Sequence, residues 1–166
     1  LGDVYKRQGM SCLQVVLFNA GQTLSRAGQG FMIGTLIGFA LAILMKLSHI
    51  VEKIAAPYLM LIQLIPILGM APIILAMTHD IGSSRIIIAA ILTFYPVATN
   101  TLAGLNSVEK QKYELMYSYA AKKSTVYFKM LIPSCIPYFF TGLKIAAPMA
   151  ITASILVCLL YTSPSP

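Results

Sequence analysis

NSVEKQKYELMYSYAAKKSTVYFKMLIPSCIP, residues 106–137, is the one long polar interval in a chain that is otherwise nearly all apolar between Gly21 and Leu160. It carries five lysines (Lys110, Lys112, Lys122, Lys123, Lys129) and two carboxylates (Glu109, Glu114). Such an interval between apolar spans lies in water or at the membrane surface, and its lysine excess marks the cytoplasmic side. Val108, Leu115, Tyr119 and Val126 fall on one stripe near a 3.6-residue period, with Lys112 intruding. The interval is therefore expected to be helical until Pro133 and Pro137 stop the pattern. Two readings fit: an amphipathic helix resting on lipid headgroups, or a docking helix for a cytoplasmic partner.

The flanking sequence fixes the class. Of 166 residues, 58% are hydrophobic and 10% charged, and the mean hydropathy is +0.80. A soluble domain carries about 25% charged residues, so this is a membrane composition. The net charge of +7 is not read as nucleic-acid binding. The lysines sit between apolar spans, and no basic, aromatic surface module accompanies them. Cys12, Cys135 and Cys158 are isolated, as are His49 and His79. Neither a disulfide framework nor a metal site is expected from that spacing.

Four spans are expected, at 27–45, 57–77, 86–105 and 138–160, and 9–20 is too short to cross alone. In the first span Gly30, Gly34 and Gly38 recur every four residues. That stripe suits close helix contact, inside the chain or across a dimer. Pro66 interrupts the second span. Freed backbone groups at membrane depth must face protein or a watery cavity, so Gln63 and Pro66 are candidate path residues, a packed kink being the alternative. In the third span Pro96 is followed by Thr99 and Asn100, which would line a path or hydrogen-bond between helices. Lys144 lies six residues into the fourth span, about 9 Å deep, and is expected to snorkel to the interface. Alternation places 46–56 inside with 106–137, and 78–85 outside. The inside loops then hold Lys46, Lys53 and the five lysines, against Arg26 and Arg85 outside.

No Gly-x4-Gly-Lys-Ser/Thr loop is present, so the chain is not expected to bind ATP. Asp3, Glu52, Asp80, Glu109 and Glu114 all lie outside the expected spans. An ion-coupled carrier commonly keeps an acid inside the membrane, which disfavours a secondary carrier. A membrane enzyme built on His79 and Asp80 lacks a third catalytic group. Residues 1–8 and 158–166 read as non-native scars, which implies truncation at both ends.

Glu114, Ala120, Tyr127-Phe128 and Ile132-Pro133 resemble the cytoplasmic loop signature of binding-protein-dependent ABC importer permeases. That signature runs Glu-Ala-Ala, three residues, Gly, then an aromatic and finally an aliphatic residue before Pro. Here Leu115-Met116 replace the alanines and Ala120 holds the Gly position. Thr23-Leu24-Ser25-Arg26, Leu64-Ile65-Pro66-Ile67, Phe94-Tyr95-Pro96 and Gly142-Leu143-Lys144 are similar to further family segments in the same order. The resemblance is nearest to the branch importing nitrate, sulfonates, taurine and pyrimidine-like vitamin precursors.

The resemblance implies an all-α polytopic bundle with the type I importer core, occupying 9–157, with further spans lost at the ends. It implies a homodimer in a bacterial cytoplasmic membrane, two separate ATPase subunits that bind the ATP and magnesium, and an external solute-binding protein. This chain would then be non-catalytic, with no cofactor of its own. The loop 106–137 would couple to the ATPase through Glu114, Leu115, Ala120 and Pro133. Ala120 would be small because the partner or the next helix approaches closely.

Overall fold

The computed structural model describes the backbone of residues 12–64 and 67–162, and the side chains of Gln14, 17–62 and 69–157. Among the described residues the regular structure is entirely helical. In chain order the helices are α1 (Cys12–Leu47), α2 (His49–Leu64), α3 (Ile67–Thr78), α4 (Ile81–Asn106), α5 (Lys110–Ser118), α6 (Lys123–Val126) and α7 (Ile132–Thr162). A π-helical turn, Tyr127–Leu131, joins α6 to α7 without a break. The expected scar at 1–8 lies outside the described residues, and of 158–166 only the backbone of 158–162 is described, as the end of α7.

No proline precedes Pro57, so α1 runs uninterrupted from Cys12, and the described part of the 9–20 segment is its first turns rather than a separate piece. The expected span at 57–77 is instead two helices, α2 and α3. Pro57 and Pro72 are carried inside α2 and α3, each of which has one helical donor fewer for it. Among the described residues three helices are long and apolar enough to cross a membrane: Leu17–Leu47, Ile81–Asn106 and Lys123–Val157. Among the described residues the expected crossing at 57–77 gives no helix of that length: its first part is the end of α2, and its second is the shorter apolar helix Gly69–Thr78.

Pro133 and Pro137 do not stop the helix as the sequence suggested. Pro133 has no N–H, and its ring would crowd the carbonyl four residues back in a regular turn. The widened turn before it, in which Ile132 N–H reaches the Tyr127 carbonyl, absorbs that conflict. Pro137 is carried inside α7. The real break comes earlier, at 119–122.

α4 lies between α1 and α7, packing extensively on both, while α3 rests on α4 and α2 on α1. Successive contacts run Gly30 to Ala89, Gly34 to Thr93 and Gly38 to Phe94 and Ala98, so α1 and α4 are parallel. A Cβ on Gly30 would sit 2.6 Å from Ala89 Cβ, and one on Gly38 would sit 2.8 Å from the Phe94 carbonyl oxygen. The glycine stripe is thus a contact within this chain. Gly104 meets Cys135 and Tyr138, and Gly142 meets Pro96, Val97 and Asn100. This makes α7 antiparallel to α4. The outer faces stay apolar and exposed, as with Leu36 (67%) and Met77 (78%), a surface suited to lipid and costly in water.

The two ends differ. At one end Lys46 Nζ donates to Asn106 Oδ1 at 2.7 Å, and Asn106 Nδ2 donates to Glu52 Oε1 at 3.3 Å. The α1–α2 connection and the 106–137 interval therefore share a side, as alternation expects. At the other end α3 closes on His79, in the left-handed region at φ 51. Asp80 then caps α4, accepting from Ser83 N–H at 2.7 Å and from the Ser83 hydroxyl at 2.8 Å. Arg85, expected in the loop, is inside α4 and buried. Lys144 is also displaced from expectation, because its helix begins well before Tyr138. The contacts of Gly142 put it at the level of mid-α4 rather than near the interface.

Candidate functional site

The polar end is built on α5. Nine residues long, it buries none of them completely. Tyr113 and Met116, one turn apart, turn inward with Val108 and Ala121 onto a core of Ala42, Leu105, Val126, Leu131 and Cys135. That core joins α1, α4, α6 and α7, so α5 rests on the ends of all three long helices. Burial raises the Tyr113 phenol above its ordinary pKa, and the neighbouring Tyr127 and Tyr117 phenols add to the shift. Lys46 ties the assembly together: its ammonium lies 5.9 Å from the centre of the Tyr113 ring, and its carbonyl accepts from Tyr127 OH at 3.4 Å.

The outward face of α5 carries Glu114, Leu115 and Tyr117. Leu115 is 58% exposed and Tyr119 78%, so the stripe that the sequence suggested through these residues is not the buried one. Its phase is lost where the helix ends. Ala120 N–H bonds the Tyr117 carbonyl at 2.9 Å, and Ala121 N–H bonds the Met116 carbonyl at 3.1 Å. With Ala120 at φ 50, this is a Schellman closure with a left-handed residue just past the helix. The position favours glycine for its backbone conformation. Ala120 is exposed, so crowding by the next helix is not the reason for a small residue there. Glu114 approaches Lys110 at 4.0 Å in a solvent-facing pair, which contributes little.

Of the four expected coupling residues, the structure gathers Glu114, Leu115 and Ala120 on α5 and its cap. Pro133 stands apart, exposed on α7, where it shapes the π turn. Tyr113, Met116, Tyr127, Lys46 and Asn106 were not singled out from sequence as parts of this site. Tyr113 and Met116 carried a signal, a three-residue spacing in phase with the helix.

The second feature is a groove of about 830 Å³, open on one side, between α3, α4 and α7 with a lip from α1 and α2. Thr99 and Asn100 both line it, beside Tyr95 and Pro96. Thr99 Oγ1 donates to the Tyr95 carbonyl at 2.9 Å, and Asn100 Nδ2 donates to the Pro96 carbonyl at 2.8 Å. These groups are satisfied largely within their own helix, while Met70, Ile74 and Met149 supply an apolar wall. The Gln63 side chain and Pro66, the other two path candidates, lie outside the described residues.

The His79–Asp80 pair is a helix corner. The Asp80 carboxyl is held below its ordinary pKa by the Ser83 N–H first, then by the Ser83 hydroxyl, the Gly82 N–H and nearby Arg26. Among the described residues no cluster of three or more His, Cys, Asp or Glu side chains could hold a metal ion.

Comparison with known proteins agrees with this architecture. A formylaminopyrimidine transport permease protein (ThiX) of Halalkalibacterium halodurans is 34% identical over 129 residues, covering 78% of this chain and 52% of that protein. A nitrate import permease protein (NrtB) of Leptolyngbya laminosa is 27% identical over 139 residues, covering 84% and 50%. A bicarbonate transport system permease protein (CmpB) of Synechocystis is 27% identical over 128 residues, covering 77% and 46%. The chain thus spans about half the length of the curated relatives it matches. The fold is similar to the crystal structure of an amino acid ABC transporter with histidines, at TM-score 0.70 and 21% identity over 93% of this chain and 78% of that one. These relatives lend no support to an enzyme on His79 and Asp80 or to an ion-coupled carrier. Residues 34–165 match the family described as binding-protein-dependent transport system inner membrane component, and with its helices long and apolar enough to cross a membrane and its packed surface helix α5, the chain belongs to that family.

Proposed function

We propose that this chain forms the core of the membrane-spanning subunit of an ATP-driven importer and couples to a separate ATPase through α5. One observation carries the reading. A short helix exposes Glu114, Leu115 and Tyr117 outward while its inner face rests on the ends of α1, α4 and α7. A push on that outer face has a packed route into all three long helices. The 106–137 side is then cytoplasmic, and seven lysines at 46–53 and 106–137 agree with it.

ATP and magnesium belong to the ATPase, two copies of which would serve a homodimer of this subunit in a bacterial cytoplasmic membrane. An external binding protein delivers the solute. Thr99 and Asn100 line the groove proposed as the path, and Gln63 and Pro66 are further candidates for it on sequence alone. The relatives' names point to small solutes of the nitrate, bicarbonate or pyrimidine-precursor kind, which overlaps the nitrate, sulfonate, taurine and vitamin-precursor range.

The test uses the full-length protein co-expressed with its ATPase and binding protein. Glu114→Lys is expected to leave membrane abundance unchanged while ATP-driven uptake of labelled nitrate, taurine or formylaminopyrimidine, whichever the wild type transports, is lost. Unaltered uptake together with normal recovery of the ATPase on the variant would return α5 to the headgroup surface.

A further inference from the structure

The depth of Lys144 calls for a partner that the described residues do not supply. Gly142 packs against Pro96, Val97 and Asn100, and Lys144 lies half a turn beyond it. That level is about 15 Å from the Asn106 end of α4 at 1.5 Å per residue. It is therefore close to the middle of a hydrocarbon layer about 30 Å thick. The Lys144 side chain is exposed on the surface of the chain. Among the described residues no hydrogen bond or ion pair reaches it. A four-carbon stem is too short to carry the ammonium back over that depth, and an ionisable side chain there faces a bundle interior or water rather than acyl chains.

The rest of that helical face agrees. Thr141, Pro148 and Thr152 share it with Lys144 at three- and four-residue spacings, and all are exposed. The two threonine hydroxyls donate to the carbonyls of Pro137 and Pro148, at 3.0 and 2.8 Å. Pro148 has no N–H to return to the Lys144 carbonyl. The exposed face of α1, by contrast, presents Met32 and Leu36. Next to Lys144 around α7, Ile145 and Met149 line the groove that holds Thr99 and Asn100. Lys144 is not itself a lining residue; it stands one position from Ile145, on a polar strip that runs beside the groove.

Resting on the import reading above, we propose that this strip borders the aqueous path and that Lys144 collects solutes bearing a negative charge, such as a carboxylate, sulfonate or inorganic oxyanion. A single cation in a low-dielectric wall draws such solutes in and repels cations.

Thiol labelling of the full-length protein in proteoliposomes, with Cys12, Cys135 and Cys158 replaced by alanine, tests this. Thr141→Cys, and separately Thr152→Cys, would be treated with an anionic sulfonatoethyl and a cationic trimethylammonioethyl methanethiosulfonate. Met32→Cys serves as the lipid-facing control. The expected result is labelling at both threonine positions and not at Met32. The ratio of anionic to cationic reagent rate should fall about tenfold when Lys144→Gln is added, and Lys144→Arg should restore it. Labelling no faster than at Met32 would overturn the proposal, as would a ratio indifferent to Lys144→Gln. A disulfide forming between two copies at Thr141→Cys would overturn it as well, since the strip would then be an interface. Charge-selective labelling in a protein that shows no ATP-driven uptake would sink the import reading and leave Lys144 as an anion contact.

Discussion

Ala120 occupies the left-handed region at φ 50 in the closure of α5, and replacing it by glycine should tighten that closure. An L-residue pays roughly 1–2 kcal/mol for this backbone conformation, and glycine pays almost none. Glycine has more freedom to lose from the open state, which offsets part of the gain. The net expectation for Ala120→Gly is about 1 kcal/mol in favour of the closed turn, a factor of about five in its opening equilibrium. The readout is amide hydrogen exchange of the full-length protein in nanodiscs. The amides of Ala120 and Ala121, bonded to the Tyr117 and Met116 carbonyls, should exchange about fivefold more slowly. Ala120→Val should act the other way, because a β-branched residue is a steric outlier at positive φ. If glycine fails to slow exchange and valine fails to speed it, the cap is not what ends α5. The conformational reason for a glycine-like position would then be wrong.

Other consequences are open to measurement. Gly34→Leu should wedge α1 from α4 at Ala90 and Thr93, an overpacking of about 1–3 kcal/mol or more, and sharply lower membrane abundance; Gly28→Leu, where a Cβ meets nothing within 4 Å, should not. Asn106→Ala removes the bridge between Lys46 and Glu52 and should loosen the docking end by roughly 1 kcal/mol, read as faster exchange in α5 with the α1–α4 core unchanged. The folded pKa of Asp80 is lowered, so its stabilising effect is present above the ordinary carboxylate range and fades as pH falls through the depressed value. Asp80→Asn keeps a cap without a titrating charge, so the acid-side slope of unfolding temperature should be shallower than in wild type, and an identical slope would remove Asp80 from that transition.

The long apolar stretches and the glycine stripe were legible because both are periodic properties of residue type. Gly30, Gly34 and Gly38 share one face of α1 whatever else happens, and α4 needed only small residues such as Ala89, Ala90 and Ala98 to meet it. What sequence reading placed wrongly depended on helix phase and helix ends. The stripe through Leu115 and Tyr119 assumed one unbroken helix. The helix begins only at Lys110, after Val108, and closes at Ala120, so the phase is reset at both ends and Tyr113 and Met116 face the core instead. An alanine in the left-handed region leaves no mark in composition.

Pro133 and Pro137 misled in the opposite sense. Taken as helix stops, they set the last span to begin near Tyr138, and Lys144 then looked shallow. The π turn at Tyr127–Leu131 lets the helix pass Pro133, so the helix that carries Lys144 begins near Lys123 and reaches the level of Gly104 already at Cys135. One turn of wider backbone thus moves a lysine from the membrane interface to its middle. There an exposed ammonium is no longer an ordinary interfacial charge, and this is the observation on which the proposed lining role of Thr141, Lys144, Pro148 and Thr152 rests. The local geometry that accommodates one proline thus bears on the depth at which this chain carries a fixed positive charge.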